Sequence, residues 1–420
     1  MADPFPAFES FHPFTRLNRL LAGVEPPAGL KPLALSLGEP QGTPPAFVAE
    51  TIAREAAGWG RYPAVQGTPE FRRAVHEWLC RRFRAPAALI DPDKQILPVA
   101  GSREALYMAT QVAVGRANRA RPLVLLPNPF YHVYAGAVAA AGAEPLFLPA
   151  TRASGFLPAP DAIDARLLDR IACAIVCSPS NPQGAVADRA WLERWVALAR
   201  RHGFTVLFDE CYSEIWRGQE PAGALDAVAA LGGTLDNILI VHSLSKRSGA
   251  PGLRSGFIAG DAVHVSRQMQ LVNYGGVTVP APILAASTAL WRDETHVVAN
   301  RAHYDAIFRA ASGALEGRFG YTTPEGSFFA WLEVGPENGA DEAAAKKLWQ
   351  EAAIKVLPGS YMGRPDANGI NPGAGFIRVA LVHEPAIVGE AMKRLVAVLG
   401  GSSARRDAAS RALHAAGSAA

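Results

Sequence analysis

Lys246 stands in Ser243-Leu244-Ser245-Lys246-Arg247, just beyond the apolar run Ile238 to Val241, with Arg254 and Ser255-Gly256-Phe257 following. The apolar run predicts a buried strand, and open α/β sheets bind ligands at the carboxyl ends of such strands. A lysine there is either a solvated loop residue or a reactive amine, because burial lowers an ammonium pKa toward that of a nucleophile. Schiff-base formation with a carbonyl compound is the chemistry that fits. The hydroxyls of Ser243 and Ser245 and the planar fork of Arg254 suit a phosphate. Lysine, hydroxyls and arginine together point to pyridoxal phosphate.

Other stretches carry polar groups to comparable places. Gly101-Ser102-Arg103 opens a helix after Ile96 to Ala100, and a helix start offers unpaired amides and a favourable dipole to an anion. Asn128-Pro129-Phe130-Tyr131, Ser178-Pro179-Ser180-Asn181 and Asp209-Glu210-Cys211-Tyr212 each follow a predicted strand. Gly38, in Gly38-Glu39-Pro40, is either a plain turn glycine or a point where backbone approaches a ligand.

These residues need a scaffold. The spacing predicts helices from Phe47 to Ala57, after Thr68-Pro69, over Trp191 to His202, in one long run from about Ala281 through Phe308, and near Asp341 to Ala353. Between them lie strands at Leu123 to Leu126, Pro145 to Leu148, Ile171 to Cys177, Thr205 to Phe208 and Ile238 to Val241. Such alternation predicts an α/β fold with a mostly parallel sheet covered by helices on both faces. Leu33 to Leu37 predicts a short strand in the N-terminal segment, and strands at Gly326 to Leu332, Ile354 to Leu357 and Phe376 to Ala380 predict a smaller α+β domain. The divisions expected are an N-terminal arm (1–46), a large domain (47–285), a small domain (286–400) and a flexible tail (401–420).

Composition narrows the function. The 420 residues are 49% hydrophobic and 19% charged with a net charge of +3, so neither disorder nor a nucleic-acid footprint is expected. No secretory signal and no apolar run of about 18 residues is present, which leads us to expect a cytoplasmic protein away from membranes. Cys173 and Cys177 share one face of a strand and read as core, not as a metal site.

Gly101-Ser102-Arg103, Asn181-Pro182-Gln183-Gly184, Asp209-Glu210-Cys211-Tyr212, Ser243-Leu244-Ser245-Lys246 and Phe376-Ile377-Arg378-Val379 together resemble, in their order, the motif set of the class I/II pyridoxal-phosphate-dependent aminotransferases of fold type I. The resemblance covers roughly residues 30 to 400. It implies a large domain with a mixed, mostly parallel sheet, a smaller α+β domain, and a homodimer with shared active sites. It also implies that Lys246 holds the cofactor and moves the substrate proton, and that Asp209 faces the ring nitrogen. Asn181 and Tyr212 would bond the ring oxygen, and Tyr131 would stack on the ring. Gly101, Ser102, Arg103, Ser243, Ser245 and Arg254 would form the phosphate cup, to which Tyr62 contributes across the dimer. Arg103 replaces the small residue frequent there, so its side chain is expected to face elsewhere. Arg378, helped by Gly38 and Asn181, would bind the substrate α-carboxylate.

Leu35-Ser36-Leu37-Gly38-Glu39-Pro40 and the stretch from Ser243 through Phe257 are similar to N-succinyldiaminopimelate aminotransferases. That likeness implies transfer of an amino group from N-succinyl-LL-2,6-diaminopimelate to 2-oxoglutarate. Arg16, Arg19 and Arg364 are candidates for a distal carboxylate by position alone, with solvation as the better reading. An aminotransferase for aspartate or aromatic substrates, or a carbon–sulfur lyase of the same fold, would keep every cofactor residue. A regulatory pyridoxal-phosphate-binding domain would call for a helix-turn-helix and a basic linker, and neither is seen.

Overall fold

The computed structural model describes residues 12–335 and 339–400. The Phe- and Pro-rich positions 5–11 and the 401–420 tail lie outside the described residues. Twelve strands are formed among the described ones: β1 (Leu33–Ala34), β2 (Ile96–Val99), β3 (Leu123–Asn128), β4 (Glu144–Pro149), β5 (Ile171–Cys177), β6 (Thr205–Asp209), β7 (Ile238–Ser243), β8 (Gly256–Gly260), β9 (Phe329–Glu333), β10 (Ile354–Lys355), β11 (Leu357–Pro358) and β12 (Phe376–Ala380). The chain divides into two compact units, one holding residues 40–303 and 324–327, the other holding the described residues of 12–39, 304–323 and 328–400.

The larger unit is built on a seven-stranded sheet of order β2-β8-β7-β6-β5-β3-β4. Every neighbouring pair is parallel except those made by β8, which runs against both β2 and β7. β2, β3, β5, β6, β7 and β8 are buried along their whole length, which is why they read as unbroken apolar runs and not as alternating ones. One face packs on Phe71, Trp78, Trp195 and Trp291, the other on Leu106, Phe130 and Tyr134. The expected α/β sheet with helices on both faces is therefore present, and Cys173 and Cys177 are buried together on the second face.

Helix ends follow local chemistry. Thr68 caps the Pro69–Arg82 helix by accepting from the Phe71 amide, and Asp188 does the same for Trp191 at the start of Arg189–His202. The expected long helix from Ala281 is two helices, Ala281–Arg292 and Thr295–Leu315. The break falls at Asp293, whose carboxylate accepts from the His296 amide at 3.0 Å and so starts the second helix. Tyr274 lies in the last turn of the Ala262–Gly275 helix.

The smaller unit holds the antiparallel sheet β11-β12-β9 and the parallel pair β1-β10. The stretch expected as one strand at Ile354 to Leu357 is divided between these sheets. The strand expected from Leu33 to Leu37 is only two residues long. Leu17 and Leu21 of the N-terminal segment pack with Leu357, Tyr361 and Met362, fixing the Pro13–Leu20 helix to this unit.

β7 and β8 approach closely. A Cβ at Gly260 would run into the carbonyl oxygen of Ile238, and its φ of +140° disfavours any L side chain. Gly260→Ala should destabilise the protein by roughly 2–3 kcal/mol, seen in calorimetry as a lower unfolding temperature. An unchanged temperature would mean that the two strands can spread without cost.

Candidate active site

The register of the large sheet decides which residues meet. Val99 of β2 and Ser243 of β7 both pair with Gly256 of β8, so Gly101-Ser102 and Ser243-Lys246 leave the sheet at one edge, side by side. Next along that edge comes Asp209, paired with Val241 on one side and with Cys177 on the other. The loop carrying Ser178 to Asn181 follows Cys177. Four separate stretches of sequence thus deliver their polar residues to one row of strand ends.

Gly101 takes φ +100° and supplies no side-chain cap, which leaves the first amides of the Ser102–Ala117 helix without an internal partner. A Cβ at Gly101 would collide with the Arg254 guanidinium. Arg254 Nη2 donates to Ala100 O at 2.9 Å and lies 3.0 Å from Glu104 Oε2, which holds the guanidinium against the helix start. Ser243 accepts from the Ser245 amide at 3.1 Å, and the two hydroxyls are 3.0 Å apart. Two hydroxyls, unpaired amides and a guanidinium make a donor set for a phosphate.

Lys246 sits in the one-turn Leu244–Arg247 helix and is partly buried. Its carbonyl accepts from Asn300 Nδ2 at 3.0 Å, as does that of Arg247 at 3.1 Å. Arg247, which sequence reasoning passed over, anchors this turn. It is almost wholly buried, donates to Leu290 O and Glu294 Oε1 at 2.7 Å each, and lies over the Trp291 ring at 4.9 Å. Burial pulls its pKa down, and Glu294 opposes that pull.

Asp209 is buried at the end of β6. Its Oδ2 accepts from the Tyr134 hydroxyl at 2.6 Å and its Oδ1 from the Cys211 amide at 3.3 Å. Burial pushes the carboxyl above its ordinary range, while Tyr134, Cys211 and the His242 charge pull the other way. Tyr134 was not among the candidate residues read from the sequence. The signal available was its place three residues after Tyr131 at the start of the His132–Ala140 helix. Its phenol is pushed well above the usual value, by burial first and then by Asp209.

Tyr131 meets Tyr134 edge-on at 5.6 Å and accepts from Arg103 Nε at 3.4 Å. The Arg103 side chain thus leans toward Tyr131. Asn181 and Tyr212 are buried in the loops after β5 and β6. Tyr62 is fully exposed on the surface of the same unit.

Gly38 and Arg378 belong to the smaller unit. Arg378 lies in β12, the central strand of its sheet, and is 4% exposed, so it is not a solvated edge residue. Its Nη2 donates to Ser36 O at 2.7 Å and its guanidinium lies 4.3 Å from the centre of the Phe329 ring. A Cβ at Gly38 would come within 2.6 Å of that ring, so only glycine fits there without a shift.

An α/β sheet with a lysine, a buried carboxylate and a phosphate-type donor set at its carboxyl edge defines an enzyme of the pyridoxal-phosphate class. Residues 31–395 match the model of the family described as aminotransferase class I and II. The chain belongs to that family, whose members depend on pyridoxal phosphate and act on amino and 2-oxo acids. It is 32% identical to a 4-dedimethylamino-4-oxo-anhydrotetracycline transaminase of Streptomyces rimosus, over 86% of this chain and 92% of that one. It is 31% identical to an LL-diaminopimelate aminotransferase of Syntrophobacter fumaroxidans, over 91% and 95% respectively. An aminotransferase structure from Neisseria meningitidis superposes with a TM-score of 0.86 at 38% identity, covering 92% of this chain and 97% of that one.

The buried carboxylate has a measurable signature. A folded pKa above the unfolded value gives Asp209 a stabilising contribution that is full at low pH and lost as pH rises through the folded pKa. In cofactor-free protein, Asp209→Asn should therefore gain unfolding temperature over wild type between acid and neutral pH. A difference that is constant with pH, followed by scanning calorimetry, would contradict a desolvated carboxylate.

Proposed function

We propose that this enzyme is an aminotransferase for a diaminopimelate-type donor, N-succinyl-LL-2,6-diaminopimelate, with 2-oxoglutarate as acceptor. The observation that carries the mechanistic part is the row of strand ends that sets Lys246 beside Asp209 and the Ser243–Ser245 hydroxyls. A second reading, LL-diaminopimelate itself as donor, is favoured by the names of relatives about 30% identical.

Pyridoxal phosphate, when bound, supplies a ring that accepts the electron pair left when the substrate Cα loses its proton. The chain's residues do the remaining work. Ser102 and Arg103 amides, the Ser243 and Ser245 hydroxyls and Arg254 hold the phosphate beside Gly101, and Asp209 keeps the ring nitrogen protonated. Tyr134, by donating to Asp209, orients that carboxylate. Asn181 and Tyr212 donate to the ring oxygen, and Tyr131 packs on the ring face. Lys246 Nζ carries the cofactor between turnovers, takes the proton from Cα, and returns it on the other side of the transfer. Arg378 takes the α-carboxylate through its planar fork, helped by Gly38 and Asn181, which sets the Cα–H bond for removal. The proposal includes a homodimer in which Tyr62 reaches the phosphate held by the partner subunit, and the full exposure of Tyr62 supports this.

Lys246→Ala should abolish transamination and the covalent adduct trapped by borohydride in the wild type. A persistent adduct in the variant would refute the role of this lysine. Glutamate formation from 2-oxoglutarate, compared across N-succinyl-LL-diaminopimelate, LL-diaminopimelate, aspartate and phenylalanine, tests the donor. The highest kcat/KM should be that of the succinylated compound, and a faster aspartate or phenylalanine reaction would overturn the substrate while leaving the chemistry in place.

A further inference from the structure

Behind the turn that carries Lys246, a hydroxyl, an imidazole and a carboxylate stand in series. Ser248 Oγ lies 2.8 Å from His296 Nε2, and His296 Nδ1 lies 2.5 Å from Asp293 Oδ2. All three residues belong to the larger unit, and none has a part in the chemistry described above. Ser248 is buried, and Arg247 Nη1 approaches its hydroxyl oxygen at 3.5 Å.

The donors and acceptors of this series can be ordered. Burial works against the charge of Asp293, but bonds from the His296 amide and ring outweigh it and hold the carboxyl below its ordinary range. An ionised carboxylate only accepts, so the proton shared with His296 sits on Nδ1. Burial lowers the His296 pKa, with Asp293 opposing and Arg247 adding to the fall, so the ring is neutral near neutral pH. A neutral ring protonated at Nδ1 has a lone pair at Nε2, and that lone pair takes the Ser248 proton. Arg247 can only donate. The bonds therefore run one way, from Arg247 to Ser248 to His296 to Asp293.

The segment that gains from this is short. Leu244–Arg247 is a single helical turn of four residues, which tertiary contacts must hold in place. His296 and Asn300 are four residues apart in the Thr295–Leu315 helix and so share a face. Asn300 takes the carbonyls of Lys246 and Arg247, while His296 takes the hydroxyl of Ser248, the residue that caps the turn. The Ser248 amide in its turn donates to Leu244 O at 3.1 Å, which closes the turn across Lys246. Phe47 meets the His296 ring edge-on at 6.1 Å and keeps it upright.

We propose that His296 is a positioning residue for Lys246: held by Asp293 as the Nδ1–H tautomer, it fixes the Ser248 hydroxyl and with it the end of the turn from which Lys246 reaches the cofactor. This rests on Lys246 being the lysine that carries pyridoxal phosphate. Arg247 and Asn300 grip the same turn, and His296 supplies the contact whose direction depends on a tautomer.

Three measurements test it. When pyridoxal phosphate is added to cofactor-free protein, the absorbance of the lysine-bound form should appear about tenfold more slowly in Ser248→Ala and in His296→Phe. The double variant should be no slower than either single one, because both changes break one contact. In holoenzyme the single-turnover rate should fall by a similar factor while the amino-donor concentration at half-saturation stays within about twofold, since the groups that bind the donor are untouched. Histidine-selective ¹⁵N labelling of the wild type should show His296 protonated at Nδ1 and not at Nε2 near neutral pH, a result that needs no variant to fold. An Nε2–H tautomer, an unchanged rate of adduct formation, or losses that multiply in the double variant would overturn the proposal. A wild type that forms no adduct at Lys246 would instead refute the cofactor assignment, and the nitrogen shifts would still report on His296.

Discussion

A carboxylate removed from water is the constraint around which the larger unit is arranged. Asp209 ends a strand whose neighbours are themselves buried, and its hydrogen-bond donors, a phenol and an amide, are both neutral. Desolvating an ion costs several kcal/mol even after relaxation, and neutral donors recover only part of that. A protein keeps such a group where a positive charge is to be met. In the role proposed for Asp209 the protonated nitrogen of the family's cofactor would be that charge, and a low-polarity setting would strengthen the pairing. Stability given up at Asp209 would then become affinity for a particular protonation state of the ring.

The lysine that must act beside this carboxylate rides on a single helical turn, which on its own would not hold a side chain still. Arg247 solves the problem from the opposite side. Its guanidinium, buried against Trp291 and Trp78, ties the turn to the end of one helix and to Glu294 at the start of the next. The break in the predicted long helix at Asp293 is what brings Glu294 to that place. This attachment fixes the backbone from which the Lys246 side chain extends.

The smaller unit braces its arginines in two ways. Arg378 is set in a central strand, braced by a carbonyl and an aromatic face, so its fork is oriented before any ligand arrives. Arg364 is held instead by a loop that closes on itself through Asn371.

Much of this was legible in the order of residues. Buried parallel strands announce themselves as apolar runs, and the polar groups that follow them are bound to fall at one edge. Lys246, Asp209, Asn181 and the serine pair could therefore be assembled before any coordinates. The chain also showed through Thr68-Pro69 where one helix begins, since capping is a local interaction. What it did not show depends on contacts between distant segments. That Tyr134 donates to Asp209, 75 positions away, and that Arg103 leans on Tyr131 follow from how helices dock on the sheet. Sequence reasoning favoured solvation for Arg16 and Arg364, because neither has a telling neighbour in the chain. Tertiary structure alone placed them on one cavity, since residues 348 positions apart are brought together by packing and not by any local preference.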